Sequence, residues 1–132
     1  MTVDMLFWMI ACHFIGDYVL QSDWMAQNKR KVSAAAAAHA LAYSVPFLFL
    51  VQSSLAFFVI YWTHYFIDRY GLARYVCFAK NFLAPKSDWP KWSDTDFTGY
   101  SAARDKYLTV WLYIITDNLM HLLINYCSLR YL

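Results

Sequence analysis

The chain has 132 residues, of which 61% are hydrophobic, 20% aromatic and only 15% charged. A soluble domain is nearer half apolar with about a quarter of its residues charged, so the composition points to a protein whose outer surface meets lipid. The net charge of +2 includes no basic block dense enough for nucleic acid, and three scattered cysteines without a CxxC pair give neither a disulfide framework nor a zinc ribbon.

The first apolar segment runs over residues 3–21. It lacks the basic start of a signal peptide, and His13 and Asp17 interrupt its apolar run. A short basic turn follows, with Lys29, Arg30 and Lys31. The second segment, residues 33–52, opens on the small residues Ala34 to Ala38 and contains Pro46, which predicts a kink. A tight uncharged turn at Ser53 leads into the third, residues 54–79, and the fourth covers 106–131. Each approaches the ~20 residues that cross about 30 Å of hydrocarbon as a helix. The expected fold is therefore all-α: a single transmembrane domain over residues 1–132, a four-helix polytopic bundle with one long loop, 80–105, between helices three and four. Lys and Arg gather in the first and third connections, which predicts that these face the cytoplasm. Both termini then face outward from a bacterial inner membrane.

All four histidines fall inside these segments, and three have an aspartate at a spacing of four: His13 with Asp17, His64 with Asp68, and His121 with Asp117. Residues four apart share a helix face, so each pair forms a two-donor claw. Ionisable groups in such segments are costly and mark functional interiors. His39 adds a donor from the second helix, and the rise per residue predicts that all seven groups reach one layer near the basic side. The predicted metal ligands are thus His13, Asp17, His39, His64, Asp68, Asp117 and His121, with Asp17, Asp68 or Asp117 also serving as bridge or base. Gln21, Tyr43 and Asn125 extend the same polar stripes by one turn. They and Arg69 are expected beside the site or against the substrate, with Lys29 and Arg30 on the basic rim as further phosphate contacts. Gly16, the alanine run and Gly71 are small enough for close helix approach.

Imidazole plus carboxylate suits zinc first, then manganese or iron, as one or two ions. Haem fits less well, because carboxylates accompany the histidines where a porphyrin needs an apolar slot. The alternative readings are a divalent-metal or proton carrier using the same groups, and a non-catalytic membrane factor with a structural ion.

The stretches HFIGDYVLQSDWMAQNK, AAHALAYS, THYFIDRY and ITDNLMHLLINY resemble a family of small bacterial and phage integral membrane proteins of unknown function. The likeness covers nearly all of the chain outside the long loop. More distantly, the layout is similar to inner-membrane proteins named as metal-dependent hydrolases. The resemblance supports the four-span layout and the polar positions and implies no established activity; the leading expectation, from the His/Asp site, is a membrane-embedded metal-dependent hydrolase acting on a membrane-associated ester or phosphoester. Its expected partners are lipid, a phosphate-bearing substrate, and a second copy of the chain or a host membrane protein, with no nucleic acid.

Overall fold

The structure is a computed structural model and describes residues 2–132. It is all-α, in keeping with the sequence, but its helices are not the four expected. The first, α1 (Val3–Phe14), is capped by the Thr2 hydroxyl, which accepts from the Met5 amide at 3.3 Å. It passes into a wide π turn, Ile15–Val19. Ser22 then caps a short α2 (Asp23–Asn28). The next helix, α3 (Ser33–Ser44), tightens into a 3-10 turn at Val45–Phe49, where Pro46 removes an amide donor. Ser53 caps α4 (Ser54–Tyr70), and Gly71 ends it with φ of 59°, a left-handed geometry that glycine adopts without Cβ strain. A short α5 (Ala73–Lys80) and three 3-10 turns follow, and Asp105 caps α6 (Lys106–Tyr131).

These breaks overturn the four-span layout and leave the multi-pass inner-membrane placement that rested on it without support. Among the described residues, only α6, with 26 residues, is long and apolar enough to cross a membrane; the Ser33–Phe49 stretch is apolar but short. The reason is local. Composition counts apolar side chains wherever they fall, whereas a span needs an unbroken ladder of about 20 residues. The π turn, the proline-led 3-10 turn and Gly71 each break that ladder.

The chain divides into two compact units. One comprises residues 1–70 and 121–132. Its apolar core joins Met9, Cys12, Tyr43, Phe47 and Ile60. Within it, Gly16 lies so close to α3 that a Cβ there would stand 2.8 Å from the Tyr43 ring and carbonyl. Ala35, Ala36 and Ala40 are fully buried on α3, as small residues at a close helix approach should be. Gly16→Ala should therefore destabilise the chain by about 1–3 kcal/mol, the usual cost of overpacking. A thermal melt checks this, and an unchanged midpoint would show that Tyr43 can yield.

The other unit is residues 71–120. It packs Ala73, Cys77, Tyr100 and Tyr113 together. Its long connection is tied down by a Thr95–Ser101 bridge and by Trp92, which stacks on Tyr75 while the Arg74 guanidinium lies 4.5 Å from its ring centroid. Asp88 and Asp94 sit exposed on its 3-10 turns.

Candidate metal centre

The first unit brings four predicted donors to one point. Asp17 comes from the π turn, His39 from α3, and His64 and Asp68 from successive turns of α4. Their relative exposures are 7%, 0%, 1% and 4%, so the cluster is withdrawn from water and Asp17 is its most open member. His39 Nε2 lies 3.0 Å from His64 Nε2 and 3.0 Å from Asp68 Oδ2. His64 Nε2 lies 3.1 Å from the same Asp68 oxygen. These three atoms form a nearly equilateral triangle. Asp17 Oδ1 lies near two of its corners, 3.3 Å from His39 Nε2 and 3.5 Å from His64 Nε2.

Ring hydrogens cannot satisfy these five contacts. Each imidazole has at most one hydrogen on Nε2, and if both carried one the two nitrogens would repel. One cation at the centre would satisfy all four lone pairs at once. The spacing fits that ion: metal–donor bonds of about 2.0–2.1 Å in a tetrahedron give donor–donor edges of about 3.3 Å. The four groups can therefore hold a metal ion.

Electrostatics agrees at His64 and at the two carboxylates, and runs the other way at His39. Burial pushes the His64 imidazole down to about 4, against the pull of Asp68, so it is neutral at neutral pH as a metal ligand must be. Burial also opposes charge on His39, but its hydrogen bonds to Asp17 and Asp68 outweigh that and raise its pKa. For Asp68, burial works upward, yet His64 and Lys29 hold the carboxyl well below the usual range. Asp17 is lowered in the same manner, burial being outweighed first by its bond to His39.

The other predicted residues make contacts of their own. His13 Nδ1 is 2.9 Å from the Tyr43 hydroxyl and 3.5 Å from Asp17 Oδ2, so it supports Asp17 rather than entering the triangle. The Asn125 amide donates to the same hydroxyl at 2.6 Å. The Tyr43 ring stacks on His64, with centroids 3.6 Å apart, and fixes the plane of that imidazole. His121 Nε2 lies 3.5 Å from Asp68 Oδ1, on the oxygen that faces away from the triangle. Gln21 follows the π turn, and its Oε1 is buried without a hydrogen-bond partner. Asp117 is half-buried on α6, one turn before His121 and within the 71–120 unit.

Arg69 points elsewhere. Its guanidinium donates to the carbonyls of Arg30 and Lys31 and to the Ser33 hydroxyl, fastening the connection between α2 and α3. That connection begins with Lys29, whose ammonium lies 2.9 Å from Asp68 Oδ2 and 3.3 Å from His39 Nε2. Sequence reasoning placed Lys29 on the rim. No periodicity marks a lysine just past the end of a six-residue helix as a partner of a carboxylate 39 positions later.

No curated protein and no solved structure matches the chain. One family profile does, over residues 5–129, and it brings support for neither the membrane nor the hydrolase part of the expected resemblance. That match spans nearly all of the sequence, including every donor of the cluster, and the chain belongs to the family described as "Protein of unknown function (DUF3307)".

Proposed function

We propose that the chain is a metal-dependent hydrolase of an ester or phosphoester, with one divalent ion, zinc by the donor set, held by His39, His64 and Asp68. The observation that carries this reading is the triangle of donors with edges of 3.0, 3.0 and 3.1 Å, capped by the more open Asp17. Two imidazoles and one carboxylate, with a fourth position left for water or substrate, is the composition of a hydrolytic zinc site. When bound, the ion supplies Lewis acidity and acidifies water. Asp17 lies next to that fourth position, where its carboxylate would take the proton of an attacking water and return it to the leaving oxygen. His13, 3.5 Å away, keeps that carboxylate oriented. A membrane-associated substrate fits the long apolar α6 and the exposed Phe7, Trp8 and Phe14 of α1.

The second reading is a structural ion, and one observation favours it: Asp17 Oδ1, at 3.3 and 3.5 Å from the two nitrogens, is near enough to close the tetrahedron itself. Asp17→Asn separates the two. As a base, its loss should lower turnover of 4-nitrophenyl acetate or bis(4-nitrophenyl) phosphate by about 100- to 10,000-fold with zinc content retained. Loss of zinc in step with activity, or no turnover by the wild-type chain, would leave the structural reading.

A further inference from the structure

Lys29 sits where a second positive charge needs explanation. A metal centre gains nothing from an ammonium beside its ligands, because like charges repel across a few ångströms. Yet Lys29 Nζ contacts two donor atoms, Asp68 Oδ2 and His39 Nε2. Its side chain is 21% exposed, so it comes to the cluster from the water side. Nor is its approach left loose. Arg69, the residue after Asp68, holds the carbonyls of Arg30 and Lys31, the two residues after Lys29. Neighbouring residues of α4 thus hold the tip of the lysine and the backbone of the two residues after it.

We infer that Lys29 is the anion-recognising arm of the centre and that the substrate carries an anionic oxygen of the phosphoester class; this rests on reading the cluster as a metal site. The charge count carries it. A divalent ion balances the two carboxylates of Asp17 and Asp68. Lys29 then leaves the centre with one net positive charge, on the side of Asp68 and His39. With the ion in place, repulsion turns the ammonium from the donor atoms towards solvent, while Arg69 keeps the adjoining backbone of Arg30 and Lys31 in place. Its natural partner there is an oxygen bearing negative charge, close to the ion and to Asp17. A neutral carboxylic ester would make no use of it. Lysine serves as such a point-charge partner for phosphate.

The test uses the full chain and two readouts that need no turnover. Zinc affinity is measured by competition with a chelator, and inorganic phosphate binding to the zinc-loaded chain by calorimetry. Removing the charge with Lys29→Met should move these in opposite directions: zinc tighter by about tenfold, as repulsion is relieved, and phosphate weaker by at least about tenfold, as a charge-assisted contact is lost. Lys29→Arg keeps the charge and should retain phosphate binding within about threefold. It also serves as the folded control should the methionine variant melt early. A purely structural lysine would not tighten one ligand while weakening the other. If zinc binds and phosphate affinity is the same in all three chains, or phosphate does not bind the wild type, or zinc affinity does not rise, the role of Lys29 is overturned and the metal centre stands. If zinc does not bind at all, the metal reading falls and this inference with it.

Discussion

Replacing Asp68 by asparagine should empty the centre. Its Oδ2 is the one oxygen shared by His39, His64 and Lys29, at 3.0, 3.1 and 2.9 Å. Its other oxygen faces His121 at 3.5 Å. Asparagine keeps the shape but loses the charge, and its amide group presents hydrogens if turned towards the ion. The two imidazoles would then be left with Asp17 as the only carboxylate donor of the cluster. We expect zinc affinity to fall by at least about 100-fold, beyond the 10- to 100-fold typical of losing a group that merely orients a ligand. Elemental analysis of chains purified without chelator, with chelator competition for the affinity, checks this. Asp94→Asn, on an exposed 3-10 turn of the other unit, is the control and should keep full occupancy. Equal zinc in both variants would remove Asp68 from the ligand set.

Stripping the ion should cost the chain a large part of its stability. Any ligand that binds only the folded state stabilises it in proportion to the logarithm of its saturation, about 2.7 kcal/mol at 100 times the dissociation constant and about 4.1 at 1,000 times. Here the donors come from the π turn, α3 and α4, so unfolding disperses them. Without the ion, two buried carboxylates face each other's partners with only Lys29 and the imidazoles to offset them. Chelation should lower the unfolding free energy by about 3–4 kcal/mol, and zinc restored in excess should recover it. Chemical denaturation with and without chelator gives the value. Coincident curves would mean that no ion is held in the native state.

The candidate site was easier to read from the sequence than the helices that build it. His64 and Asp68 lie four apart on an unbroken helix, and both enter the donor triangle. The same spacing at His13 and Asp17 crosses from α1 into the π turn, where the two stay 3.5 Å apart but only Asp17 joins the cluster, while His13 also meets Tyr43. A spacing rule assumes a regular helix, and a π turn changes the angle between the two side chains. Pro46 was legible as an irregularity, though its outcome, a 3-10 turn, was not. Gly71 read as a small residue for close packing and proved instead to be a left-handed stop. The charges of the first connection carried only part of their meaning. Counted together they suggested a cytoplasmic loop; what the count did not show is their local partners, Lys29 meeting Asp68 and the Arg30 carbonyl taking the Arg69 guanidinium.

The adjacency of Asp68 and Arg69 also bears on timing. Both stand in the final turn of α4, which Gly71 brings to an end. Helix ends open locally far more often than whole domains unfold. One such fraying event would carry a donor oxygen out of the cluster and release the connection behind Lys29 at the same moment. Exchange of the ion with solvent is then gated by the breathing of a single helical turn, and the amides of that turn and of residues 30–33 should lose their protection against hydrogen exchange together.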